Sequence, residues 1–322
     1  MARQSKRAAL LLLFLSPITA ELVTGSSPPL IFFNPIVLLL FLGFYGTGTL
    51  MMRELMIRWQ KGYASLLVLG VAYGIIEEGL VVKSFFNPSW PDLSIMATYG
   101  RWLGVNWVWS SDLAVYHAVV SIVIPVILVE LVYPEVRGQS LLGNTAMVFA
   151  GIVFALDSAL FYFVLTPYVP PLVPYVGTLA LVLVLFIVAC RFPEKWDFHG
   201  TRPCPSRRRL WAIGLMWMVL NWLIYFHLPR TGVHPIVTIA LGIGMALLLY
   251  RYFRTLIWDN DLDRLSVVAG VMTFSIIMAP VFEMVAVTAE PMTGMTLTGA
   301  AYALFLLYVR HRIKSSSVSP AV

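Results

Sequence analysis

The chain has 322 residues, 59% of them hydrophobic and 12% charged, with a formal net charge of +6 at pH 7. Soluble domains are roughly 45–50% apolar and about 25% charged, and disordered chains are poor in aromatics, so both classes are excluded. The basic residues sit at the ends of apolar runs rather than in one patch, which excludes nucleic acid as a partner and points to a lipid bilayer.

The apolar runs have the length of membrane spans, about 20 residues for a hydrocarbon layer ~30 Å thick. In chain order, spans are predicted over 8–24, 30–52, 62–83, 112–133, 141–166, 172–190, 210–228, 234–253, 265–284 and 293–309. This is an all-α, polytopic bundle of about ten transmembrane helices, read as a single domain over 1–322. Most connections are short and end helices with Pro, Gly or Ser, as in Ser26-Ser27-Pro28-Pro29 and Pro170-Pro171. The basic stretch Met1–Arg7 before the first run also fits a signal peptide cut after Ala20, although Pro17 and Ile18 make a poor cleavage site.

With the N-terminus in the cytoplasm, every one of the 22 Lys and Arg except Lys83, Arg101 and Arg230 falls in a cytoplasmic segment. That asymmetry predicts a multi-pass protein of the cell membrane with both termini inside. Two loops are longer than connectors need to be. The cytoplasmic stretch 191–209 carries Arg191, Lys195, Arg202, Arg207, Arg208 and Arg209, a topology anchor suited to anionic lipid. The outer stretch 84–111 holds Trp90, Trp102, Trp107 and Trp109 among polar residues. It reads either as an interfacial aromatic belt or as a lid over a cavity. Cys190 ends a span and Cys204 lies in the cytoplasmic loop, so no disulfide framework is implied.

A charge within the bilayer costs at least ~2.5–3.5 kcal/mol on insertion scales, so ionisable residues in spans mark partners or function. Glu77 and Glu78 lie about 15 residues into the third span, roughly 22 Å across. His117 falls in the outer part of the fourth span and Asp157 in the outer half of the fifth, while Glu21, His227, His234 and Glu283 lie at span ends. All of them share the outer depth. Two adjacent carboxylates repel, and one of the pair suits a general base. Gly70, Gly74 and Glu78 follow one another at helical spacing, a groove for close backbone approach that ends at Glu78. The rival reading is a structural pair, each Glu bonded to Arg101, Lys83 or a tryptophan N–H. His117 stands one turn before Ser121, which would position it, though Tyr116 or Asp112 would serve as plain structural partners. Its imidazole with the carboxylates would also suit a zinc ion, although neither HExxH nor CxxC is present. Asp157 must find a donor, and His234, Glu21, Arg101 and Asn106 are supporting candidates around the same outer face.

The double glutamate followed by a histidine in the next span resembles the CPBP family, the CAAX-prenyl endopeptidase and bacteriocin-processing group. The resemblance covers the first two motifs, through Glu77, Glu78 and His117. It implies an intramembrane protease in which these residues activate a water. Where the family has EExxxR, Val82 stands at the Arg position with Lys83 beside it. FxxxH reads here as Leu113 to His117, and His234 is followed by Thr238 rather than by the Asn of HxxxN. The family's site opens to the cytosol, whereas this cluster lies outward. The expected function is therefore a membrane-embedded hydrolase of a peptide or lipid substrate, with Glu78 as base, Glu77 as its partner and His117 as orienter or metal ligand. A proton-coupled carrier using the same carboxylates is the alternative. A non-catalytic scaffold docking through the 84–111 loop is the second alternative.

Overall fold

The computed structural model describes residues 2–285 and 291–316. Apolar segments bounded by Pro, Asn and Gly wind into ten long helices. These are α1 (Ala2–Pro17, continued by a π-turn Ile18–Leu22), α2 (Pro35–Arg58), α3 (Tyr63–Val81), α4 (Trp107–Val132) and α5 (Asn144–Leu165). They continue as α6 (Leu172–Cys190), α7 (Arg207–Thr231), α8 (Pro235–Phe253), α9 (Asp261–Val285) and α10 (Met295–Ser316). The eight from α2 to α9 are long and apolar enough to cross a membrane. α1 and α10, which carry Arg3, Lys6, Arg7 and Glu21 and Arg310, Arg312 and Lys314, are not among those eight. The predicted second span is two helices: Pro29–Phe32, then α2, whose first turn Asn34 caps by accepting from Ile36 N at 3.0 Å.

Burial separates a centre from a periphery. The hydropathic windows of α3 and α4 are 67% and 72% buried, whereas those of α5, α6 and α8 are each 11% buried, so the latter three present apolar side chains outward. α3 and α4 touch along the small-residue stripe. A Cβ added at Gly70 would stand 2.7 Å from Ala118 Cα, and one at Gly74 would stand 2.8 Å from His117 Cβ. Only glycine admits so close a crossing.

The 84–111 segment is folded. A short 3₁₀ helix (Pro91–Ala97) leads to a two-residue antiparallel ribbon, β1 (Arg101–Trp102) and β2 (Val105–Asn106), and then into α4. Phe85, Phe86, Leu93, Met96, Val105, Val108 and Trp109 are buried beneath it, while Trp102 and Trp107 stack at the surface with centroids 5.7 Å apart. The segment is thus both a cap with its own core and an aromatic rim. At the opposite, basic end, β3 (Arg202–Pro203) pairs in parallel with β4 (Leu256–Ile257), fastening the 191–209 loop. Asp197 from that loop accepts from Ala64 N at 3.1 Å and so caps α3.

Candidate active site

The site is built from interrupted helices. Glu21 lies in the π-turn Ile18–Leu22, Tyr45 in Leu42–Gly46, Glu77 and Glu78 in Ile76–Val81, and His117 opens His117–Val123. A π-turn inserts one extra residue and re-aims the side chains after it, a device common at functional sites. Four such turns, from α1, α2, α3 and α4, meet at one point near the capped end.

There, His117 lies between the two glutamates. Its Nδ1 is 3.2 Å from Glu77 Oε2 and its Nε2 is 3.4 Å from Glu78 Oε1. Ser121 Oγ sits 2.9 Å from Nδ1, one turn along the same helix, as the spacing predicts. Tyr45 extends the chain, since its hydroxyl is within hydrogen-bonding distance of both Glu77 Oε1 and Glu21 Oε1, the latter at 2.5 Å. One hydroxyl proton satisfies only one of those oxygens. Ser27 donates to the far oxygen of Glu21 at 2.8 Å. On the other flank Ser84 donates to Glu78 Oε2, and Trp109 Nε1 donates to Ser84 Oγ at 3.0 Å. The Lys83 backbone, at φ +63° just past α3, turns the chain back so that Ser84 reaches Glu78.

Burial is nearly complete: the Glu77 side chain is 6% exposed and that of Glu78 13%. The site is therefore a buried polar cluster beneath the 84–111 segment. Glu77 Oε2 is buried with no hydrogen-bond partner, and so is the Tyr73 hydroxyl.

The rival reading of Glu77 and Glu78 as pairs with Lys83 or Arg101 does not hold. Lys83 Nζ donates to the carbonyls of Tyr162 (2.7 Å) and Thr166 and lies 3.9 Å over the Tyr162 ring. Burial lowers the pKa of that ammonium. Arg101 donates to the carbonyls of Ala97 and Phe86 at 3.1 and 2.8 Å, holding the cap together. Asn106 accepts from Trp109 N at 3.0 Å as the cap of α4 and donates to Met96 O. Both residues hold the 84–111 segment together and stay out of the carboxylate cluster. His234 is exposed and accepts from Ile236 N at 3.3 Å, capping α8. Asp112 pairs with Asn221 at 2.8 Å instead of holding His117. Glu283 accepts from Gly294 N and Thr296 N, a helix-end role.

Asp157 departs from expectation. It is only 9% exposed, yet its Oδ2 finds no donor and rests where a Cβ on Gly43 would stand, 3.0 Å away. Of the supporting candidates, Glu21 alone joins the cluster. Tyr45 and Ser84 escaped the sequence reading because an uncharged hydroxyl carries too small an insertion cost to mark it, while the expected tryptophan N–H reaches Glu78 only through Ser84. The available signal for Tyr45 was a hydroxyl between Gly43 and Gly46 in an apolar span.

A family model described as an uncharacterized membrane protein family matches residues 10–315, and the chain belongs to that family. Comparison with curated proteins and with solved structures gives no match.

Proposed function

We propose that the protein is a membrane-embedded hydrolase acting on a peptide or lipid substrate near one leaflet, in keeping with the CPBP resemblance of Glu77, Glu78 and His117. The observation that carries this reading is the convergence of two carboxylates and an imidazole at one closed point. Glu78, the more exposed of the pair, takes a proton from a water molecule as general base. The water oxygen bonds to the scissile carbonyl carbon, and the carbon–nitrogen or carbon–oxygen bond then breaks. Glu78 returns the proton to the leaving group. Glu77, fixed by Tyr45, and His117, fixed by Ser121, position the water. Ser84 and Trp109 tie the base to the cap, so displacement of the 84–111 segment would admit substrate and water together.

The test is purified protein in lipid nanodiscs, offered phospholipids and synthetic membrane-spanning peptides, with products read by mass spectrometry. Glu78→Gln is expected to lower turnover by a factor of about 10²–10⁴ while leaving the folded protein intact. Equal product from wild type and this variant overturns the reading.

One feature supports a second reading, a proton-coupled carrier. Tyr45 links the Glu21 and Glu77 carboxylates into a continuous polar chain from Ser27 to Glu78. Proton uptake into proteoliposomes that is lost in Tyr45→Phe, without hydrolysis of either substrate class, would favour it.

A further inference from the structure

We infer that Glu77, Glu78 and His117 hold a divalent ion of the zinc or manganese class, bound through Glu77 Oε2, Glu78 Oε1 and His117 Nε2. The inference concerns what occupies the site and stands whether or not a substrate is hydrolysed there.

The polar atoms of the three side chains divide into two sets. The outer set is held by neutral hydroxyls: Tyr45 donates to Glu77 Oε1, Ser84 donates to Glu78 Oε2, and Ser121 Oγ pairs with His117 Nδ1 at 2.9 Å. The inner set has no hydroxyl donor. Glu77 Oε2 accepts no hydrogen bond although the residue is 4% exposed, and the nearest ring nitrogen is His117 Nδ1 at 3.2 Å. Glu78 Oε1 and His117 Nε2 face each other at 3.4 Å. With the Nδ1 proton towards Ser121, Nε2 turns a lone pair to a carboxylate oxygen, an arrangement that a cation between them makes favourable. Metal ligands commonly show this pattern, one atom on the ion and the other fixed by a hydrogen bond.

A proton alone serves the site less well. Placed on Nε2, it relieves the contact with Glu78 but leaves Glu77 Oε2 facing Nδ1, which Ser121 already engages. Glu21, Glu77 and Glu78 together bring three carboxylates, while Lys83 and Arg101, the nearby basic residues, are committed to backbone carbonyls. A doubly charged ion offsets most of that charge. The geometry is close: one ligand atom from each of Glu77, Glu78 and His117 lies within 4.8 Å of the other two. Donors each ~2.1 Å from one ion stand roughly 3.4–4.2 Å apart, so a small side-chain rotation closes the set. Two carboxylates and one imidazole suit zinc or manganese and leave a fourth position for water.

The experiment uses the full chain purified in detergent, stripped with chelator and titrated with Zn²⁺ or Co²⁺ alone. Bound metal is read by elemental mass spectrometry, and Co²⁺ also by its visible absorption. Wild type is expected to take up a stoichiometric ion, Glu77→Gln and His117→Ala to lose it, and Tyr45→Phe to bind about 10–100-fold more weakly. Absence of uptake by wild type overturns the inference. So does uptake that survives in Glu77→Gln, because the ion then sits elsewhere, such as among Glu194, Asp197 and His199 at the basic end. Should His117→Ala fail to fold, the near-isosteric Glu77→Gln decides. Metal uptake without hydrolysis would sink the hydrolase reading alone. Hydrolysis without uptake would sink this inference alone.

Discussion

The bundle buries two clusters of charge, one at each end, and they are built on opposite terms. At the basic end, Arg53 is fully buried and reaches Glu130 at 3.2 Å and Glu54 at 3.5 Å. Tyr63 donates to Glu130 at 2.6 Å and Leu141 N donates to Glu54 at 2.6 Å. Arg58 and Ser140 complete Glu54, and Arg137 bridges to Asp261 at 2.8 Å. Every carboxylate oxygen of Glu54 and Glu130 thus has a donor, and the cluster fastens α2, α3, α4 and α9 together. At the capped end, three carboxylates share Tyr45, two serines and one histidine, and one oxygen of Glu77 accepts no hydrogen bond, with His117 Nδ1 3.2 Å away. Balanced buried charge is a fastening. Buried carboxylates in excess of their charged partners are held there against their own cost, the pattern expected of a site rather than of a clasp.

The difference can be broken most forcefully at the clasp. Arg53→Ala removes the fully buried cation that Glu54 and Glu130 share and is expected to cost about 3–5 kcal/mol, seen as a large fall in the thermal midpoint in detergent. Glu77→Gln, which removes like-charge repulsion at the capped end, should leave that midpoint unchanged or raise it when both proteins are compared after stripping with chelator. A fall comparable with that of Arg53→Ala would mean that the two clusters are not opposites.

Gly74→Ala sharpens the comparison from the backbone. Its methyl would meet His117 Cβ at 2.8 Å, so α4 must shift, at about 1–3 kcal/mol. Gly177→Ala, where nothing lies within 4 Å of the added carbon, is the control and should be close to neutral. Turnover or metal affinity should fall in the former more than its stability loss explains, because the carboxylate–imidazole spacing is disturbed directly.

The smallest effect belongs to the lid. Asn106→Ala removes the cap of α4 and should cost roughly 1 kcal/mol, measured by thermal unfolding. A loss of function without that loss of stability would move Asn106 from the frame of the 84–111 segment into the site itself.

Much of this was legible in the residues. Runs of apolar length fixed the helices, and the glycine stripe ending at Glu78 announced the crossing with α4. The insertion cost of charge singled out Glu77, Glu78 and His117, and depth alone gathered Glu21 with them. Spacing also placed Ser121 against His117. The same reasoning grouped Arg101, Asn106 and His234 with the site, because depth along a span says nothing about direction around it. Their side chains turn to carbonyls and helix ends instead.

The sequence by itself determined the all-α membrane bundle, the asymmetry of its basic residues and the three residues most costly to bury. Only the tertiary structure decided that four π-turns bring Glu21, Tyr45, the glutamate pair and His117 to one focus, and that Lys83 and Arg101 are spent elsewhere. The reason is physical. Burial cost is a property of each side chain, readable one residue at a time. Whether a buried charge is balanced depends on which helices cross and how each turn is wound, and that is set by packing across the whole bundle.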